Sequence, residues 1–196
     1  MADLTSSPPD LQDLCRRLRA SDRSAFEVVF RTLRRPLLRY VRTLVFQADL
    51  AHDLVQDVFV DLWAARHRLD PSRSLKAYLY SMTRNRALRH LRDERLHASK
   101  EDDIRMELRA TSSAPARADE VVDATALASQ VQRWVTDLPN RQREALLLSR
   151  YHHLSHREIG ALMGISPRTV NNHLVRALET LQQRMSLFES TPPPSS

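Results

Sequence analysis

The sequence has 196 residues and a formal net charge of +6. Its single cysteine, Cys15, excludes an internal disulfide, and it has neither a secretory leader nor a membrane-length apolar run, so we expect a cytoplasmic protein. The absence of strand-like alternation and the scarcity of glycine exclude a β-rich fold. The positive net charge favours a polyanionic partner, although charge alone would also fit binding to a membrane surface.

The predicted fold class is all-α, with two small helical domains joined by a flexible linker and a helix-turn-helix in the C-terminal domain. Residues 1–9 are rich in serine and proline and are predicted to be disordered, as is the tail 187–196. The first helical domain is predicted over 10–98. Residues 99–123 form an acidic linker without periodicity, and the helix-turn-helix domain follows over 124–186.

Two amphipathic helices are predicted at the start of the first domain. Asp10 can cap the first helix, on which Cys15 shares an apolar face and is therefore a core residue and not a reactive thiol. The second helix begins near Phe26, and Pro36 is predicted to interrupt it before the pattern resumes.

A helix predicted from Asp49 to Arg66 carries an acidic ridge, defined by Asp49, Asp53, Asp57 and Asp61 at every fourth position. Like charges at that spacing destabilise an isolated helix by about 0.2–0.5 kcal/mol per pair. No lysine or arginine lies between positions 49 and 61 to relieve them. The ridge can be interpreted as a plain solvated face or as a docking surface for a basic partner. The absence of cations within the segment favours the docking surface.

A basic helix is predicted from Leu75, after a loop over 69–74. Seven cationic residues lie between positions 73 and 97, namely Arg73, Lys76, Arg84, Arg86, Arg89, Arg92 and Arg95. Tyr78 and Tyr80 lie at its start. Aromatic rings can stack on unpaired bases while cations hold phosphates, which favours a nucleic-acid strand. For each tyrosine alone, a place in the core is an equal alternative.

The C-terminal domain contains both glycines of the chain. Ser155 and Glu158 form a capping-box pattern, and Ser166 precedes a proline that suits a first helical position. Gly164 then falls where a helix ends in the left-handed conformation, and Gly160 indicates a close helix crossing.

This pattern predicts a helix-turn-helix, whose second helix enters the DNA major groove. The face opposite its apolar stripe carries Arg168, Thr169, Asn171, Asn172, Val175 and Arg176. An ordinary helical hairpin with a solvated face is the alternative.

No catalytic or cofactor site is predicted, and we expect a protein that is not an enzyme. His152, His153 and His156 have no cysteine or carboxylate partners at ligand spacing, so no metal is expected. The glycines lie in the turn, and none remains for a phosphate-binding loop.

Three segments together resemble the extracytoplasmic-function (ECF) group of bacterial RNA polymerase sigma factors. They are AHDLVQDVFVDLWAAR (51–66), LKAYLYSMTRNRALRHLR (75–92) and LPNRQREALLLSRYHHLSHREIGALMGISPRTVNNHLVRALETL (138–181). The resemblance covers most of residues 10–185. It implies a dissociable subunit that binds core RNA polymerase and directs promoter-specific initiation, with a region 2-like domain at 10–98 and a region 4-like domain at 124–186.

The resemblance also implies three sets of contact residues. The residues expected to contact polymerase are Asp53, Leu54, Gln56, Asp57, Phe59, Val60, Asp61 and Trp63. The −10 element falls to Arg73, Lys76, Tyr78, Arg84, Asn85, Arg86, Arg89 and Arg92. The −35 element falls to Ser155, Arg168, Thr169, Asn171, Asn172, His173 and Arg176.

Two departures from the family pattern matter. Tyr78 stands where members often have tryptophan, and Asn171 and Asn172 stand where a basic or small residue is common. Asparagine can bond adenine through two contacts worth about 1–3 kcal/mol of discrimination, so an adenine-rich −35 preference is a hypothesis.

Two competing functions and three further expectations remain. A helix-turn-helix also occurs in LuxR-type regulators, so a stand-alone regulator that binds duplex DNA without polymerase is an alternative. A nucleic-acid enzyme is disfavoured for want of a carboxylate cluster. The resemblance implies an inhibitory anti-sigma partner. We expect no membrane insertion and a monomer when the protein is free.

Overall fold

The computed structural model describes residues 9–45, 47–102 and 126–190. Every regular element in those ranges is helical, which confirms the all-α prediction. The chain divides into two compact units, Met1–Arg109 and Ala110–Ser196. None of the helices in the described ranges is long and apolar enough to cross a membrane.

Unit 1 is built on three long helices that pack pairwise. They are α2 (Arg23–Val41), α3 (Ala48–Ala64) and α4 (Leu75–Asp102). Helix α1 (Leu11–Arg19) precedes them, and the 3-10 helix η1 (Arg66–Arg68) lies between α3 and α4. Leu18, Leu37 and Leu62 are fully buried where these helices meet. Cys15 is 1 % exposed, which confirms its place in the core.

Aspartates start the first two helices. The Asp10 carboxylate accepts a hydrogen bond from the Gln12 amide at 2.8 Å, as the sequence predicts. Asp22 caps α2, accepting from the Ser24 and Ala25 amides at 2.8 and 3.2 Å. Hydrogen bonds from Ser24 and Arg17 lower the Asp22 pKa to about 2.

Helix α2 runs without interruption through Pro36, so the predicted break is wrong. An interior proline costs about 3 kcal/mol because it removes one backbone hydrogen bond and crowds the preceding turn. Val29 and Leu33 are buried before Pro36, and Leu37 and Val41 are buried after it. Burial of apolar side chains on both sides keeps the two halves in one helix.

Unit 2 contains α5 (Ala126–Thr136), α6 (Asn140–Arg150), α7 (His156–Met163) and α8 (Pro167–Ser190). Helices α6 and α7 both pack on α8. Trp134 of α5 contacts Phe188 of α8 with ring centroids 5.8 Å apart. The Arg184 guanidinium donates to the Asp137 carboxylate at 2.8 Å.

Some predicted boundaries differ from the helix ends. Helix α4 continues to Asp102, inside the segment predicted as linker, and α8 continues to Ser190, inside the predicted tail. The rest of the predicted linker, the first eight residues and residues 191–196 lie outside the described residues.

Candidate protein and nucleic-acid interfaces

The acidic ridge of α3 is relieved by a cation from another helix. Arg86 of α4 donates from Nη1 to Asp57 at 2.8 Å and from Nη2 to Asp61 at 2.5 Å. The expectation of an unrelieved ridge is therefore wrong for these two aspartates. Asp49 and Asp53 are exposed and form no ion pair with any described residue. The uncompensated negative charge is concentrated at the N-terminal end of the ridge.

An aromatic groove lies beside the ridge, between α2 and α3, with a volume of about 770 Å³. Phe26, Phe30, Phe59 and Trp63 line it, with ring centroids 4.8 Å apart for Phe30 and Phe59 and 5.3 Å apart for Phe26 and Trp63. Val60 also lines it and is 61 % exposed. Solvated apolar surface next to free carboxylates is suited to a protein partner.

The predicted polymerase contacts fall into three groups. Asp53, Gln56 and Asp57 are exposed, while Val60 and Trp63 line the aromatic groove. Phe59 also lines the groove but is only 2 % exposed. Asp61 is half-buried in its bond to Arg86. Leu54 is 7 % exposed and lies in the core, so it supports this surface and does not contribute a contact to it.

Helix α4 presents an exposed polar face, defined here by Tyr78, Asn85, Arg89 and Arg92. Spacings of seven, four and three residues place these side chains on one side of a helix. Tyr78 is 40 % exposed. Tyr80 is buried with its ring centroid 5.3 Å from that of Tyr40, and burial raises its pKa. One tyrosine is thus available to a ligand and the other belongs to the core.

The other cations predicted for the −10 element are placed differently. Arg84 is only 9 % exposed, and Arg86 is held in its bridge to α3. Neither presents a free guanidinium to a strand. Lys76 is half-buried near the start of α4.

The loop before α4 is shaped by Asp70. Its carboxylate accepts from the Ser72 amide at 2.9 Å and from the Ser72 hydroxyl at 2.7 Å, and these bonds lower the Asp70 pKa. Arg73 is exposed and lies 3.3 Å from the same carboxylate. An exposed pair of this kind is weak, so the guanidinium remains available to a phosphate.

The helix-turn-helix geometry is confirmed. Ser155 and Glu158 form a complete capping box, and Gly164 adopts φ +68° at the end of α7. A Cβ on Gly160 would lie 2.7 Å from the Ile165 carbonyl oxygen, so the close crossing depends on glycine. Arg141 of α6 donates to the Met163 carbonyl at 3.2 Å and caps the same turn.

Helix α8 offers four exposed polar side chains near its start, Arg168, Asn171, Asn172 and Arg176, with Thr169 and His173 half-buried. Two of the predicted −35 hydroxyls have structural partners. Ser155 Oγ donates to Glu158 at 2.7 Å, and Thr169 Oγ1 lies 2.8 Å from Ser166 Oγ. Both hydroxyls are used within the caps of their helices.

The predicted absence of a metal site concerned the histidines around the α6–α7 turn. His152 is buried, while His153 is exposed with φ +48°. Over the described ranges, no group of three histidine, cysteine, aspartate or glutamate residues is placed to hold a metal ion.

Sequence reasoning missed two features of these surfaces. Arg86 lies 29 residues after Asp57 and 25 residues after Asp61 in the sequence, and no local pattern predicts that they pair. Phe26 and Phe30, by contrast, lie four residues apart and share a helix face. That spacing was a usable signal for the aromatic groove.

The chain matches two family descriptions. Sigma-70 region 2 matches residues 29–97, and Sigma-70, region 4 matches residues 129–181. ECF RNA polymerase sigma factor RpoE of Cereibacter sphaeroides is 28 % identical over 166 residues, covering 84 % of this chain and 88 % of its own. RNA polymerase sigma factor CarQ of Myxococcus xanthus is 29 % identical over 176 residues, covering 88 % of this chain and 96 % of its own.

Solved structures share the fold. CnrH in complex with the cytosolic domain of CnrY matches with a TM-score of 0.61 and 21 % identity, covering 90 % of this chain and 97 % of that one. The sigma factor RpoE in complex with the anti-sigma factor NepR, from Bartonella quintana, matches with a TM-score of 0.65 and 24 % identity, covering 82 % of this chain and 96 % of that one.

The matches fall on the elements that carry the surfaces described above. The region 2 match includes α3 and the exposed face of α4, and the region 4 match includes the helix-turn-helix. A stand-alone regulator would require only the second of these, so that alternative is disfavoured. The chain belongs to the sigma-70 family, in its extracytoplasmic-function group, and is a non-enzymatic sigma factor that directs promoter-specific transcription initiation.

Proposed function

We propose that three separate surfaces divide the work of this sigma factor. Asp49, Asp53 and the aromatic groove dock on core RNA polymerase, the exposed face of α4 holds the opened −10 strand, and α8 reads the −35 duplex. The observation that carries the proposal is the junction on α3 between free carboxylates and the exposed Val60, next to the half-buried Trp63. A basic partner with apolar side chains would satisfy both.

The −10 proposal rests on the exposed face of α4. Tyr78 offers a ring on which an unpaired base can stack, and Arg89 and Arg92 offer cations for the phosphates on either side. Arg84 and Arg86 act as positioning residues, because one is buried and the other is bonded to α3.

The −35 proposal rests on the start of α8. Asn171 and Asn172 are exposed where a recognition helix meets base edges, and Arg168 and Arg176 flank them. Asparagine bonds adenine through two contacts, so we propose an adenine-rich element. Phosphate contacts by the arginines make the affinity fall steeply with salt.

An inhibitory protein partner is also proposed. The Bartonella structure is of a sigma factor in complex with the anti-sigma factor NepR, and this chain shares its fold. The aromatic groove supplies the solvated apolar surface that such a partner would cover. We also propose that the protein is cytoplasmic and that it is a monomer when free.

The docking proposal is tested with Asp53→Arg, because Asp53 forms no ion pair with a described residue and its change leaves the Arg86 bridge intact. Core polymerase is titrated with the full chain and with the variant. Reversal of a charge at a docking surface should weaken binding at least tenfold, about 1.4 kcal/mol.

The control is Asp13→Arg on α1, an equal charge change away from α3 at a half-buried aspartate that pairs with Arg16 and Arg17. It should leave the affinity for core polymerase unchanged. Equal losses in both variants would reflect net charge and would contradict docking through α3. Wild-type affinity in Asp53→Arg would do the same.

A further inference from the structure

Helix α2 carries an arginine row that none of the surfaces above uses, defined by Arg31, Arg35, Arg39 and the C-cap residue Arg42. Spacings of four, four and three residues place these side chains on one face of the helix. All four are exposed. At about 1.5 Å per residue, successive members lie about 6, 6 and 4.5 Å apart along the helix axis.

One acid, Glu27, the single acid of α2, lies four residues before Arg31 at the start of the row and lines the aromatic groove. It forms no ion pair with any described residue. Arg31, Arg35 and Arg39 form no hydrogen bond or ion pair with any described residue, and Arg42 lies 3.3 Å from a ring nitrogen of His52. From Arg31 to Arg42, only like charges follow one another along this face.

Such a row costs stability. Like charges four residues apart are unfavourable by about 0.2–0.5 kcal/mol per pair. The helix dipole favours cations in the last turn, which accounts for Arg39 and Arg42. That effect fades within one turn. Glu27, four residues before Arg31, favours a cation there, but neither effect accounts for Arg35. A polyanionic ligand would convert the whole row from a cost into a binding surface.

The C-terminal end of the row lies where α2 meets α4. Tyr40, which follows Arg39, packs on Tyr80 of α4 at 5.3 Å, and the charge of Arg39 acts on the Tyr80 hydroxyl. Tyr80 lies two residues after the exposed Tyr78. The row and the exposed face of α4 therefore lie on adjacent helices of one packed pair.

We propose that the arginine row binds phosphates of the same unpaired DNA strand whose bases the exposed face of α4 holds, an inference that rests on the −10 function proposed above. Guanidinium groups bind phosphate oxygens through paired hydrogen bonds. An unpaired strand can turn from α4 onto α2, whereas duplex DNA is stiff over this length. The row thus extends the strand path and sets its direction without reading sequence.

The test uses holoenzyme assembled from core polymerase and the full chain, with Arg35→Gln/Arg39→Gln compared with Arg16→Gln/Arg19→Gln on α1. The probes are forked DNA pools with a fixed duplex and a randomised unpaired tail, and the same pools fully paired. Phosphate contacts carry no sequence information, so the promoter sequence is not needed. Affinity is measured across a salt series, and affinity for core polymerase is measured in parallel.

The α2 variant should bind forked DNA at least tenfold more weakly, with a salt slope reduced by about 1.4 for two lost single-strand contacts. Its affinity for paired DNA and for core polymerase should match that of the wild type. Equal losses on forked and paired DNA, equal losses in the α1 control, or an unchanged slope would each overturn the proposal. A wild-type chain that fails to bind core polymerase would instead overturn the proposed function, and this inference with it.

Discussion

Gly160 occupies a position where a single methyl group would meet the backbone. Its Cβ would lie 2.7 Å from the Ile165 carbonyl oxygen and 3.3 Å from the Pro167 nitrogen. Both neighbours belong to the turn that orients α8, so neither can move without displacing the recognition helix. Gly164 differs, because its surroundings are open and its φ of +68° alone requires glycine.

Gly160→Ala should destabilise unit 2 by about 1–3 kcal/mol through overpacking. Helix propensity alone predicts the opposite sign, since alanine is about 1 kcal/mol better than glycine inside a helix. The measurement is chemical unfolding of the full chain followed by helix content. Gly164→Ala provides a comparison in which left-handed strain costs about 1–2 kcal/mol. A Gly160→Ala protein more stable than wild type would contradict the close crossing.

The carboxyl group of Asp22 makes the free energy of unfolding of unit 1 depend on pH. Its pKa is lowered from the ordinary value of 3.8 to about 2 by hydrogen bonds from Ser24 and Arg17. A lowered folded-state pKa stabilises the fold above pH 3.8, and that stabilisation is lost as pH falls through about 2. In Asp22→Asn, the unfolding free energy should therefore depend less on pH over this interval. Parallel pH profiles for wild type and variant would contradict the role of the carboxylate.

At the scale of elements, Arg86 joins the helix proposed for docking to the helix proposed for strand binding. Its guanidinium is 30 % exposed, and the side chains of Asp57 and Asp61 are 57 % and 47 % exposed. A single pair this exposed contributes about 0.2–1 kcal/mol. Two pairs on one arginine also fix the register between α3 and α4.

A double-mutant cycle of Arg86→Gln with Asp61→Asn should show a coupling energy of about 0.5–1 kcal/mol, smaller at high salt. Unfolding free energies of the four proteins give the value. Arg89→Gln on the exposed face of α4 forms no ion pair with a described residue and serves as the control arginine. Equal coupling for Arg86 and Arg89 would show that the cycle reports net charge and not the bridge.

Elements set by neighbouring residues could be predicted from the sequence, whereas those set by distant ones could not. The caps at Asp10 and Ser155 and the left-handed Gly164 depend on residues at most four positions away, and all were predicted. The continuity of α2 through Pro36 depends on burial against other helices, which no local pattern contains. The Arg86 bridge fails to appear in the sequence for the same reason.

At the scale of the whole molecule, the sequence places charges of opposite sign on different helices. Negative charge remains at Asp49 and Asp53 of α3, while cations occupy the exposed face of α4, the arginine row of α2 and the start of α8. Helical periodicity predicted the acidic face of α3 and the polar face of α8. On α4 it did not separate the buried Arg84 and the bridged Arg86 from the exposed residues. The binding partner of each face was inferred from the resemblance to ECF sigma factors, because a charge pattern alone does not identify the molecule that a face binds.

The Arg86 bridge has a consequence for distance along the promoter. The proposed polymerase-docking surface and the proposed strand-binding face belong to one packed unit, and the bridge holds them in register. The interval from the −10 element to the first transcribed nucleotide would then be set inside unit 1. The chain between the two units would govern only the permitted spacing of the −10 and −35 elements. Adding residues to that connection should widen the range of tolerated spacers and leave the transcription start where it was.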